Sequence, residues 1–173
     1  MINFSLFIIT AIGVFFTTAQ INLTELRARY KNAVEDEKET DALFKVVSAN
    51  ENDAVFLAYK AGLESIKAKH AFNPAKKLHY VGTSMKTFER AVQKDPDNIE
   101  IRYLRFVIQF HVPSFMGYSK NLDEDKAVIV KNFSKAEKYN IDIKYLQEIA
   151  GFMIYSKKCS ASEEAKMKEL AQL

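Results

Sequence analysis

The stretch "NIEIRYLRFVIQFHV", Asn98 to Val112, decides the fold. Read for propensity it is a strand. It is rich in Ile, Val, Tyr and Phe, and its first residues alternate apolar and polar. Read for length and spacing it is a helix. The run is long for a strand. Its polar positions Asn98, Arg102, Arg105 and Gln109 fall four, three and four residues apart, one narrow stripe on a helix.

A second copy of the opening motif supports the helix. "NIDIKYL" runs from Asn140 to Leu146, and there Asn140, Lys144, Gln147 and Gly151 occupy the same stripe. The residues that follow, "QEIAGFMIYSKK", are less strand-like. Asn, Ile, Ile, Tyr, Leu and the later Phe110/Phe152 are identical between copies. Glu100/Asp142, Arg102/Lys144 and Val107/Ile149 are conservative. Both copies read as helices that are apolar nearly all round, each capped by its Asn, and such helices belong in the middle of a bundle. Upstream, "FERA" (Phe88 to Ala91) parallels "FSKA" (Phe133 to Ala136). A period of about forty residues is typical of helical-hairpin repeats.

Working outward, helix signals recur at every break. Asn22 with Glu25 has capping-box spacing, and Leu26, Tyr30 and Val34 line one face after it. "EDEKETD" (Glu35 to Asp41) reads as a polar connection or an exposed turn of helix, followed by a short helix at Leu43, Val46 and Val47. Asn52 or Asp53 opens a helix over Ala54 to Lys69. Asn73 and Pro74 open the next, which runs to about Lys94 and contains Gly82, a place for another helix to come close. Asn121 with Glu124 caps a helix to about Lys138, Asn140 starts one to about Ser156, and Ser160 with Glu163 opens the last. With five Gly and three Pro, the chain reads as an all-α antiparallel helical-hairpin bundle or short solenoid of about seven or eight helices.

"FERAVQKDPDNIEIRYL" resembles the end of one tetratricopeptide repeat and the start of the next. Phe88, Ala91, Asp95, Pro96, Asn98, Glu100 and Tyr103 stand where that family has an aromatic, a small residue, the Asp-Pro-x-Asn turn and the opening of its first helix. Where the family has Leu-Gly and a Tyr, this chain has Arg105-Phe106 and Gln109. The chain as a whole is also similar to small exported proteins of bacteria. The resemblance implies recognition of another protein or peptide on a helix-lined concave surface, near Tyr103 and Arg102.

The N-terminus carries an address. "MINFSLFIITAIGVFFTTAQ" has no charged side chain from Met1 to Gln20. Its apolar run, Phe4 to Phe16, is short for a membrane span, which needs about 20 residues, and matches the core of a secretory signal peptide. Thr17 and Ala19 suit signal peptidase, so residues 1–19 are expected to be removed between Ala19 and Gln20. The mature domain is then 20–173, exported to the periplasm or secreted. It would meet a membrane only if the segment stays uncleaved.

Composition narrows the function. Hydrophobic residues are 48% and charged residues 27%, a globular balance. A net charge of +3, with both signs interspersed, lacks the concentrated basic face that nucleic acid requires. The single cysteine, Cys159, rules out an internal disulfide. His70, His79 and His111 stand in no metal-ligand spacing, and there is no phosphate loop or nucleophile elbow. The expectation is a binding protein without metal or cofactor, and not an enzyme.

Two features suggest where binding would occur. Arg102 and Arg105 lie on an otherwise apolar helix. Either they hold an acidic peptide or ligand carboxylate, or they pair with Asp123, Glu124 or Asp125 of the next helix. The loop "HVPSFMGYSKN" carries Phe115, Met116 and Tyr118. Either it binds a partner, or its aromatics cover the core. The candidate binding residues are thus Arg102, Tyr103, Arg105, Phe115 and Tyr118. Two rival functions stand beside partner binding. A carrier of a small apolar ligand would show an enclosed apolar cavity. An enzyme with a dispersed site would show buried titratable groups in a pocket.

Overall fold

The structure, a computed structural model, describes residues 21–173. The expected signal peptide at residues 1–19, and the cleavage expected between Ala19 and Gln20, lie outside the described residues. Among the described residues there are eight α-helices: α1 (Leu23–Ala33), α2 (Glu37–Ser48), α3 (Ala54–His70), α4 (Pro74–Lys94), α5 (Ile99–His111), α6 (Leu122–Asn132), α7 (Ile143–Tyr155) and α8 (Ala161–Ala171). There is no strand among the described residues, so the all-α reading holds. None of these helices is long and apolar enough to cross a membrane.

Local chemistry accounts for most helix starts. Asn22, Asp36, Asp53, Asn73 and Asn98 each accept hydrogen bonds from backbone N–H groups one turn in. Pro74 sits in the first turn of α4, where its missing N–H costs nothing. Ser160 and Glu163 form a reciprocal capping box at α8. Of the two readings of "EDEKETD", the exposed turn of helix is the one observed: Asp36 caps α2, Glu37 to Asp41 begin it, and its acidic residues favour the positive end of the helix dipole.

The second copy of the motif departs from the first. Asn98 caps α5 through Glu100 N and Ile101 N. Asn140 does not cap. It turns left-handed, at φ 54°, to close a 3-10 segment, Phe133–Tyr139. The cap of α7 is Asp142, whose side chain accepts from Tyr145 N at 2.8 Å. α6 accordingly ends at Asn132 and tightens into that 3-10 segment instead of running on to Lys138. Asn121 does hold the N-cap position of α6 and donates from Nδ2 to Glu124 at 3.0 Å, but its side chain caps no backbone N–H. Its amide is engaged by Gln109, taking a bond from Gln109 Nε2 at 3.1 Å while its N–H donates to Gln109 Oε1 at 2.9 Å.

Helices pack in sequence, α1 on α2, α3 on α4, α5 on α6 and α7 on α8, and α3 also packs on α2 and α5. The apolar interior has two parts. Leu26, Leu43, Val47, Leu57, Leu63 and Phe88 belong to the first, and Ile129, Phe133, Ile149, Met153 and Met167 to the second. α5 serves both. Ile101 and Leu104 face the first, and Ile99 and Phe106 the second. Its polar stripe faces α6 and the loop, so the helix is buried on almost every side, as its composition requires.

Glycine marks one close approach. A Cβ at Gly62 on α3 would lie 2.3 Å from the Tyr30 hydroxyl, so only glycine lets Tyr30 lie against α3. At Gly82 the neighbour is not a helix: a Cβ there would meet the Tyr118 hydroxyl from the loop, at 3.3 Å.

Candidate functional site

The odd-numbered helices meet around one buried ion pair. Arg27 of α1 sends Nε and Nη2 to the two carboxylate oxygens of Glu100 on α5, at 2.9 and 2.7 Å. Its Nη1 donates to the Asn140 carbonyl at 3.1 Å, and its guanidinium lies 4.5 Å from the centroid of the Tyr145 ring. Tyr59 of α3 donates to Glu100 at 2.7 Å and lies 3.4 Å from the Tyr145 hydroxyl. Glu100 is fully buried in the first turn of α5, where the helix dipole favours a carboxylate. Burial works against the Arg27 charge, but the hydrogen bonds and charge of Glu100 outweigh it and raise its pKa, so it stays a cation.

Above this pair opens a cleft of about 110 Å³. Arg27, Tyr30 and Lys31 of α1, Tyr59 of α3, Tyr103, Leu104 and Val107 of α5, and Tyr145 and Glu148 of α7 line it. Lys31 Nζ and Glu148 Oε1 meet at 2.5 Å on its rim. Two ring pairs stand nearly perpendicular: Tyr30 on Tyr59 at 79°, and Tyr103 on Tyr145 at 83°. Such edge-to-face contacts suit the ring quadrupole. All four phenols are held above their ordinary pKa, chiefly by burial; the charge of Glu100 adds to this at Tyr59 and Tyr145, and that of Glu148 at Tyr103. The rings are therefore neutral at physiological pH and supply no phenolate base. The Glu100 carboxylate accepts three bonds and is closed to a reactant.

A run of aromatic rings continues from the cleft toward solvent along α5 and α7. Tyr103 meets Phe152 edge-on, Phe152 meets Phe110 at 5.6 Å, and Phe110 and Phe152 both meet Tyr155. His111 packs on Phe110 and Phe152. Tyr155 is 69% exposed. Corresponding residues of the two motif copies touch here: Tyr103 with Tyr145, and Phe110 with Phe152.

The structure separates the residues singled out in the sequence. Tyr103 lines the cleft. Arg102 and Arg105 face α6 instead. Arg102 donates to the Pro96 carbonyl at 2.8 Å, and to Glu124 and Asp125 at 2.5 and 2.9 Å. Arg105 forks onto both oxygens of Asp125, at 2.8 and 2.6 Å. Of the two readings, the internal ion pair is the one observed, with Glu124 and Asp125 as partners. Hydrogen bonding to Arg102 holds the Glu124 carboxyl below its ordinary pKa. Phe115, on a 3-10 turn at Ser114–Met116, is 88% exposed. Tyr118 packs on the first core, and with Arg105 and Gln109 it lines a separate groove of about 370 Å³. The loop thus divides, one aromatic out and one in.

Arg27, Tyr30, Tyr59 and Tyr145 carried no sequence signal of a shared site. They lie on three helices, and only their spacing on apolar helix faces was visible. Among the described residues no three His, Cys, Asp or Glu side chains gather as metal ligands. Cys159 is half-buried, which raises its thiol pKa.

Fold and site define an all-α protein with a tyrosine-lined cleft opening onto an aromatic seam. No family model, no curated protein and no solved structure matches the chain.

Proposed function

We propose that the chain is an exported binding protein of the tetratricopeptide-like kind, acting by recognition of another protein or peptide. The observation that carries this reading is the aromatic seam of α5 and α7, which runs from the buried Tyr145 out to the exposed Tyr155. Aromatic side chains supply large contact area at small entropic cost and are enriched where partners anchor. The seam includes Tyr103, one of the two residues near which the repeat resemblance expects contact. Arg102 is turned away, so recognition would rest on rings rather than on guanidinium forks.

Photo-crosslinking tests this. A photoreactive residue at position 155 should give a discrete adduct in the envelope fraction, and one at exposed Lys166 on α8 should not. Phe110→Ser in the position-155 protein should abolish the adduct. Equal labelling from both positions would reject the seam as the contact surface. A carrier role is the second reading: the cleft, about 110 Å³, has room for one small ligand group, but it is open and lined by Arg27, Lys31 and Glu148, unlike the enclosed apolar cavity of a carrier for an apolar ligand.

A further inference from the structure

We infer that the tyrosine cleft binds a quaternary ammonium head group, the trimethylated cation carried by molecules such as choline and glycine betaine. The inference deepens the carrier reading and is independent of the seam. Tyr30, Tyr59, Tyr103 and Tyr145 come from four helices onto one cleft, in two nearly perpendicular pairs. Tyr30 and Tyr103 are partly exposed and form the walls, from α1 and α5, while Tyr59 and Tyr145 are buried beneath them as the floor. A cation over a ring face is attracted by the ring quadrupole, and cages of such rings are how quaternary ammonium groups are recognised. The Tyr145 face is already covered by the Arg27 guanidinium, at 4.5 Å, which leaves Tyr30 and Tyr103 as the rings open to a ligand cation.

The other lining groups agree. A quaternary ammonium has no N–H to satisfy, so it asks for methyl contacts and not for acceptors. Leu104 and Val107 supply apolar contact. The volume, about 110 Å³, suits a trimethylammonium group better than a longer chain. Charge is balanced: Arg27 is matched by Glu100 and Lys31 by Glu148. Lys31 is the rim group that would compete. Its side chain is 55% exposed, so it can swing into solvent and leave Glu148 to the incoming cation.

Isothermal titration of the full chain tests this, with choline chloride, glycine betaine and the neutral all-carbon isostere of choline. Choline should bind with a Kd of about 1 mM, the weak range set by a few cation–π contacts and one carboxylate. The isostere should bind at least about tenfold more weakly. Tyr103→Leu should lose about tenfold, while Tyr103→Phe, which keeps the ring, should stay within about threefold. Glu148→Gln should weaken choline and Lys31→Ala should strengthen it. Weaker betaine binding in Lys31→Ala would show that Lys31 reads the zwitterion's carboxylate; unchanged betaine binding would assign recognition to the cation alone. Circular dichroism of each variant checks that the helices remain. Equal binding of choline and its isostere, or no binding of either cation at tens of millimolar, overturns the inference. Neither result bears on crosslinking from position 155.

Discussion

Arg27 and Glu100 meet as a two-bond fork, Nε and Nη2 on the two carboxylate oxygens at 2.9 and 2.7 Å, and neither charge reaches solvent freely. Removing one member of a buried pair leaves the other charge stranded, which costs about 3–5 kcal/mol. Glu100→Leu should therefore lower the unfolding free energy by about 3 kcal/mol in urea titration. Adding Arg27→Met should recover part of that loss. A double variant as unstable as the sum of its parents would show that the pair is not coupled.

Glu64 is buried on α3, and its Oε2 has no hydrogen-bond partner. Burial raises its carboxyl pKa above the ordinary value. For an acid raised in the folded state, stability is fully present below the unfolded pKa. It is lost as pH rises through the folded pKa. Glu64→Gln keeps the polar group but removes the buried charge, so it should be more stable than wild type at pH 7. The gain should vanish near pH 3, where the wild-type carboxyl is protonated in both states. Denaturation at the two pH values reads the difference.

Gly62 admits the Tyr30 ring. A methyl group there would sit 2.3 Å from the Tyr30 hydroxyl, so Gly62→Ala must displace the ring. Overpacking of this kind costs about 1–3 kcal/mol, more than the gain in helix propensity from replacing glycine. Thermal melting should show a lower Tm for Gly62→Ala, and Tyr30→Ala in the same background should relieve part of the loss.

The two Asn residues of the repeated motif should respond oppositely. Asn98→Ala removes a cap that holds two backbone N–H groups and should cost about 1 kcal/mol. Asn140 is left-handed, so Asn140→Gly should be neutral or slightly stabilising, and Asn140→Val should destabilise. A loss from Asn140→Gly as large as that from Asn98→Ala would contradict the two backbone roles.

Helix class could be read from this sequence because the polar stripe of α5 is a physical requirement. Arg102, Arg105 and Gln109 each need a partner, and all three find it on one side, α6 and the loop before it. Periodicity reports that shared side directly. The caps were readable for the same reason, since an Asn or Asp side chain satisfies N–H groups only a few residues away. Asn140 shows where this fails: its backbone is set by the 3-10 segment before it, and Asp142 takes the cap. The cleft was out of reach. Arg27 and Glu100 are distant in the chain, and nothing local distinguishes Tyr30, Tyr59 or Tyr145 from ordinary core aromatics. Tyr103 was singled out through the repeat resemblance, which placed it on a contact surface but did not indicate what surrounds it.

α5 has a mechanical consequence. Ile101 and Leu104 belong to one apolar cluster, Ile99 and Phe106 to the other, and Glu100 between them is held by Arg27. A strain that loosens α7 and α8 is therefore transmitted through a single rigid rod to α1 and α3. Neither half can melt without stripping one face of a helix the other half still needs. The chain should lose its helices in one cooperative transition, with the same midpoint by circular dichroism and by tyrosine fluorescence.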